Sequence, residues 1–135
     1  MKKKVLFLCT HNSARSQMAE GYLNSRYGDL YEAFSAGTEA SSVNTSAIRV
    51  MDEIGIDISG HRSKKIDEFS GVRIDILVTV CDAAHGACPM FPWADERIHA
   101  GFPDPSGASG SEEEILEVFR KVRDEIILFI DTKFG

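Results

Sequence analysis

Two short, nearly unbroken apolar runs constrain this chain more than any other feature. Val5-Leu6-Phe7-Leu8-Cys9 lies near the start, and Ile74-Asp75-Ile76-Leu77-Val78-Thr79-Val80 lies in the middle. A strand with one wet face alternates apolar and polar residues; a continuous apolar strand needs cover on both faces. Strands of that kind belong in a parallel sheet packed between helices. Each run is far shorter than the roughly 18 apolar residues of a membrane helix. Lys2, Lys3 and Lys4 before the first run mimic the start of a secretory leader. The run falls short of the about 7–15 residues a leader needs, and His11, Asn12, Arg15 and Ser16 follow at once. A cytoplasmic protein with no membrane association is the expectation.

The rest of the chain supplies helices between strands. Residues 16–27 predict a helix with Met18, Ala19, Tyr22 and Leu23 on one face and Gly28 as its stop. Residues 31–35 predict a short second strand. Residues 45–54 predict a second helix, with Ile48, Met51 and Ile54 at helical spacing and Gly55 ending it. Residues 56–70 read as a loop with a helical turn at 66–69, and 74–80 as the third strand. A loop over 81–93 holds Pro89 and Pro92, with Trp93 packing beneath it. A short last strand is expected at 97–100, followed by a Gly-, Pro- and Ser-rich loop over 101–110. Ser111 with Glu114 forms a capping box for a terminal helix. Ile115, Val118, Phe119, Val122, Ile126, Phe129 and Ile130 make its apolar stripe, and Glu112, Glu113 and Glu114 suit the positive end of its dipole.

This alternation predicts an α/β fold: a single domain over residues 1–135, with about four parallel strands and helices on both faces. The net charge is −6, so no broad basic footprint exists and nucleic acid is excluded as a partner. A monomer is expected.

The three cysteines are Cys9, Cys81 and Cys88. An odd count in a chain without a leader argues against a structural disulfide framework. An isolated cysteine is most often a small buried apolar residue. Here, however, Cys9 ends the first buried strand and Cys81 directly follows the third. Open parallel sheets bind ligands at the carboxyl ends of their strands. If the two strands are neighbours, both thiols share one rim.

The segment Cys9-Thr10-His11-Asn12-Ser13-Ala14-Arg15-Ser16 joins a strand to a helix. A tight loop there aims successive backbone N–H groups at one point, and the helix N-terminus stands behind them. Such a nest binds a tetrahedral oxyanion through residues 10–16, that is Thr10, His11, Asn12, Ser13, Ala14, Arg15 and Ser16. Arg15 closes over the anion with a two-pronged fork. Cys9 lies beneath the central atom, and the positive field favours its thiolate form. Ser16 can donate its hydroxyl to that sulfur, and Asn12 braces the loop from within.

CTHNSARSQMAEG over residues 9–21 resembles the active-site segment of the low-molecular-weight tyrosine phosphatase fold. It is still more similar to the thioredoxin-coupled arsenate reductases built on that fold, because the phosphatases typically carry Pro where this chain has Gln17. The resemblance extends through FSAG (34–37), GIDIS (55–59), CDAAHGACP (81–89) and VRDEI (122–126). It implies that Cys9 attacks arsenate and that Cys81 then attacks the Cys9 sulfur, releasing arsenite. Cys88 next attacks Cys81, and thioredoxin reduces the resulting disulfide. It also implies that Asp104, in Phe102-Pro103-Asp104-Pro105, is the general acid. Phosphate and sulfate are the expected competing anions, and no cofactor is expected.

Three departures stand out. Many relatives carry a further cysteine where this chain has Ala14. The phosphatases usually have tyrosines after the acid, whereas Ser106, Gly107 and Ala108 follow Asp104 here, so the wall for a phosphotyrosine ring is missing. Some relatives bind potassium through Asn, Glu, Ser and Asp. Asn12, Glu20 and Ser35 match three of these positions, but Lys64 stands at the fourth, so an ammonium replaces the cation and no potassium site is expected. A zinc site from Cys81, His85 and Cys88 is disfavoured by the spacing of the cysteines. His11, His61, His85 and His99 show no pairing that marks a catalytic base, and a solvent-facing or structural role is expected for each. The competing readings are a phosphatase using Cys9, Arg15 and Asp104, and a non-enzymatic anion-binding or redox-sensing module.

Overall fold

Both apolar runs are strands, and they lie side by side. The computed structural model describes residues 2–39, 41–80 and 94–135. In chain order the elements are β1 (Lys3–Cys9), α1 (Arg15–Tyr27), β2 (Tyr31–Gly37), α2 (Thr45–Asp52), a 3-10 turn (Ile66–Phe69), β3 (Ile74–Thr79), β4 (Ala94–His99), a second 3-10 turn (Pro105–Gly107) and α3 (Glu112–Phe134). The strands form one sheet in the order β2-β1-β3-β4, every pair parallel.

From β1 the chain first adds β2 on one side and then β3 on the other. A reversal of this kind opens a crevice at the carboxyl end of the first strand, where α/β sheets bind ligands. Register fixes what meets there. Cys9 pairs with Gly37 across β1 and β2. On the other side Leu8 pairs with Thr79, and the Val80 N–H donates to the Leu8 carbonyl at 2.8 Å.

The period of two along β1 divides the core. Val5, Phe7 and Cys9 face α1, α2 and α3, together with Ile76 and Val78 of β3. Leu6 and Leu8 face the other way, with Ala36, Ile74 and Leu77, under Ile66 and Phe69 of the first 3-10 turn. Phe69 meets Phe34 edge to face, with ring centroids 5.7 Å apart. Cover on the two faces is therefore unequal among the described residues: three α-helices on one, a single helical turn on the other.

The expected elements are present with three corrections. β4 begins at Ala94, earlier than the predicted 97–100, and ends at His99. As an edge strand paired to β3 from Ala94 onward it can carry Asp95, Glu96 and Arg97, because ladder bonds need only backbone. In α2 the buried residues are Ala47, Val50 and Met51, whereas Ile54 is 39% exposed. The chain leaves the helix there: Ile56 N–H reaches Met51 O, Gly55 N–H reaches Asp52 O, and Gly55 adopts φ +81°, a Schellman closure that sends Ile58 into the core instead. On α3, Val118 is exposed, while Leu116, Phe119, Val122, Ile126, Ile130 and Phe134 form the buried stripe. The Ser111–Glu114 capping box is formed in both directions. Cys81, His85, Cys88 and Trp93, and the loop assigned to 81–93, lie outside the described residues.

Candidate active site

The loop between β1 and α1 is held open by its surroundings. The Thr10 carbonyl accepts from Glu39 N–H (2.9 Å) and the Thr38 hydroxyl (3.1 Å). The His11 carbonyl accepts from the Ser63 and Ser41 hydroxyls at 3.0 and 3.4 Å. The Asn12 carbonyl accepts from Gln17 Nε2, and the Ser13 carbonyl from Asn44 N–H at 2.9 Å. Each carbonyl is thus turned outward and satisfied. α1 begins behind the loop at an Ala14 N-cap with no side-chain cap, so its first amides, which have no partner inside the helix, are left to the loop's concave side.

Gly37 makes this possible. A Cβ there would stand 2.6 Å from Thr10 O, 2.8 Å from Asn12 N and 2.9 Å from Cys9 O. Any side chain would push the loop away from β2.

Cys9 is a free, buried thiol at the base of the loop. Its sulfur receives Asn12 N–H at 3.2 Å and lies 2.8 Å from Ser16 Oγ. The direction of that second bond follows from a chain of donors. Asn12 Oδ1 accepts from Lys64 N–H (2.8 Å) and Gln17 Nε2 (2.9 Å). Asn12 Nδ2 therefore points to Ser16 Oγ, 2.8 Å away, and Ser16 is left to donate its proton to sulfur. Gln17 cannot be reversed, because its Nε2 also faces the Asn12 and Arg62 carbonyls. Its Oε1 meets His61 Nδ1 at 3.0 Å, so that nitrogen carries a proton. A chain of donors thus runs from His61 through Gln17, Asn12 and Ser16 and ends at the Cys9 sulfur. Asn12 supports the network from φ +51°, a left-handed conformation that Asn tolerates better than most residues.

Beyond Gln17 lies a charged cluster. Glu20 accepts from Ser35 Oγ at 2.7 Å, lies 3.3 Å from His61 Nδ1 and 3.7 Å from Lys64 Nζ. Lys64 also donates to the Arg62 carbonyl at 2.8 Å. The ammonium thus stands against the carboxylate of Glu20.

Arg15 is buried and rigidly anchored. Nη1 donates to Phe102 O at 3.1 Å and to Val80 O at 3.5 Å; Nη2 lies 3.6 Å from Asp104 Oδ2. The loop after β4 is thereby tied to the pocket. Asp104 caps the Pro105–Gly107 turn, accepting from Ser106 N–H (3.0 Å) and Oγ (2.7 Å). Burial pushes its carboxyl up, but the Ser106 hydroxyl and amide, then Arg15 and His11, outweigh that and hold it below the usual carboxylate range. Cys9, His11, Ser13, Ala14, Arg15, Asp104 and Ser106 line one small pocket. Among the described residues no cluster of His, Cys, Asp and Glu is arranged to hold a metal ion.

The sequence assigns no site role to Gln17 or Gly37, and only a solvent-facing or structural one to His61. Gln17 and Gly37 lie inside quoted motifs, so motif membership was the available signal. The partnership of His61 with Gln17 spans 44 positions and has no local signature.

A nest of outward-turned carbonyls, with a cysteine at its base, an arginine over it and an aspartate at its rim, on a parallel sheet of this order, defines an oxyanion-binding α/β protein. The chain belongs to the low molecular weight phosphotyrosine protein phosphatase family, whose model matches residues 4–130. Within it, the chain is 50% identical over 125 residues to an arsenate reductase of Halalkalibacterium halodurans, covering 93% of this chain and 90% of that one. It is 47% identical over 127 residues to an arsenate reductase of Bacillus subtilis, with 93% and 91% covered. Among solved structures it is similar to an arsenate reductase in the phosphate binding state, with TM-score 0.81, 36% identity, and 96% and 95% of the two chains covered. It is also similar to a thioredoxin-dependent arsenate reductase of Corynebacterium glutamicum, with TM-score 0.66, 25% identity, 97% of this chain and 61% of that one covered.

Proposed function

We propose that the protein reduces arsenate to arsenite through a relay of Cys9, Cys81 and Cys88, with thioredoxin as the reductant. The observation that carries this reading is the adjacency of β1 and β3. Val80, bonded to Leu8, is the residue that precedes Cys81, and Leu8 is the residue that precedes Cys9. Relatives at about half identity are arsenate reductases.

In the proposed sequence the Cys9 thiolate attacks arsenic, with the oxyanion held by the amides of residues 10–16 and by Arg15. Asp104 protonates the departing oxygen, which leaves as water. Cys81 then attacks the Cys9 sulfur. The sulfur–arsenic bond breaks, its electron pair stays on arsenic, arsenite leaves, and a Cys9–Cys81 disulfide remains. Cys88 attacks Cys81, freeing Cys9 and forming Cys81–Cys88. Two thiols of thioredoxin supply the two electrons that restore the dithiol. Lys64 serves as a fixed cation beside Glu20, in place of a bound one.

No helix among the described residues is long and apolar enough to cross a membrane. We further propose that the protein is a cytoplasmic monomer of one domain. The test is NADPH oxidation with thioredoxin, thioredoxin reductase and arsenate. Oxidation that requires both arsenate and thioredoxin is expected. Hydrolysis of an aryl phosphate without any arsenate-dependent oxidation would replace this reading with a phosphatase.

A further inference from the structure

The anion pocket has a side chain at its mouth that the relay does not use. His11 lines the pocket together with Asp104 and Ser106. Its Nε2 lies 3.2 Å from Glu39 Oε2, and both side chains are more than half exposed. An exposed histidine is ordinarily only solvated, but this one is held at its backbone and at its ring. Its carbonyl is held by Ser41 and Ser63, its ring by Glu39, and Glu39 itself by the bond from its N–H to Thr10 O.

The pocket behind it is small, about 10 Å³, far below the roughly 300–1,000 Å³ of sites that enclose larger ligands. In an in-line displacement the leaving group stands opposite the attacking sulfur. With Cys9 at the base, it stands at the mouth, beside the proposed acid Asp104. For free arsenate that group is a single oxygen. For an esterified oxyanion it is an entire aryl or alkyl chain, which has to fit among the lining side chains of His11, Asp104 and Ser106.

We infer that His11, clamped by Glu39, is a specificity-determining residue that admits a free tetrahedral oxyanion and rejects the same anion carrying an organic ester group. The inference rests on the anion-site reading above. It does not depend on arsenate reduction, since it concerns only what enters.

Binding of inorganic phosphate and of phenyl phosphate to the whole protein, measured by calorimetry, tests it. The wild type is expected to prefer inorganic phosphate by about tenfold or more, the scale of discrimination that one misfit in a pocket can provide. His11→Gly should reduce that ratio several-fold by removing the ring. Glu39→Gln should reduce it in the same direction by releasing the ring, while inorganic phosphate still binds as in the wild type. If the glycine variant loses phosphate binding altogether, the loop has collapsed, and Glu39→Gln decides. Equal affinities in the wild type, or an unchanged ratio in Glu39→Gln and in any His11→Gly protein that still binds phosphate, would overturn the inference. Binding of neither anion by the wild type would remove the anion site itself, and this inference with it.

Discussion

Arg15 and Asp104 face each other at the rim of the anion pocket, Nη2 to Oδ2, at 3.6 Å. The pair joins the loop after β1 to the loop after β4, and Arg15 helps to hold the Asp104 carboxyl below the usual carboxylate range. An entering oxyanion competes with Asp104 for the guanidinium, adds negative charge beside the carboxylate and favours its protonation. In the proposed mechanism, binding would thereby ready Asp104 to give up its proton.

Removing the Ser106 hydroxyl takes away the largest of the interactions holding the Asp104 carboxyl down. In Ser106→Ala the Asp104 carboxyl should titrate at higher pH. The matching limb of the kcat/KM profile for arsenate is expected to move upward in pH. Asp104→Asn should lower turnover by about 10²-fold or more, the usual contribution of a positioned acid. Steady-state rates from about pH 3 to about pH 8, a window that includes the usual carboxylate range, check both.

Arg15→Lys replaces a fork with a point charge and strips the donors from Phe102 O and Val80 O. Charge-assisted hydrogen bonds are worth about 1.5–3 kcal/mol. Phosphate affinity is therefore expected to fall by roughly one to two orders of magnitude in a calorimetric titration.

The cysteines separate by the order of attack. Cys9→Ser should abolish arsenate reduction and any hydrolysis of aryl phosphate. Cys81→Ser should stop before arsenite release. Cys88→Ser should release up to one arsenite per molecule and halt with Cys9 and Cys81 joined. Peptide mass spectrometry after one turnover locates each disulfide. Sustained thioredoxin-driven turnover by Cys88→Ser would leave a two-thiol mechanism.

Lys64 should make the protein indifferent to potassium. Its ammonium already stands near Glu20. Exchanging potassium for a large organic cation is expected to leave the thermal midpoint unchanged in the wild type. In Lys64→Asp the midpoint should rise with added potassium, read by circular dichroism.

Glu53 ties α2 to α3. Hydrogen bonds from Arg120 pull its carboxyl down, burial opposes them, and Arg123 adds to the pull, leaving it at about 2. A carboxyl lower in the folded than in the unfolded state adds stability at pH values above its unfolded value of about 4.3, and the gain is lost as pH falls toward the folded value. Glu53→Gln should therefore lower the thermal midpoint clearly at pH 7 and much less near pH 3.

The sequence by itself determined the parallel sheet, the strand–loop–helix at Cys9, the capping box at Ser111 and the family motifs. Each is local: a run of apolar residues, a cap, or a fixed spacing within about one turn of chain. It also singled out Arg15, Ser16 and Asn12, because a nest and its helix are contiguous. Only the tertiary structure decided which strands are neighbours, and so that Leu8 and Val80, the residues before Cys9 and Cys81, are bonded to each other. It also decided that Gln17 bonds Asn12 and His61, that Gly37 has no space for a Cβ, and that His11 stands at the mouth against Glu39. Ile54 and Val118 show the limit from the other side, since helical spacing defines a face but not the angle at which a neighbour covers it. Partners separated by tens of residues leave no periodic trace, and the donor or acceptor role of a buried amide is set only when the other groups around it are in place.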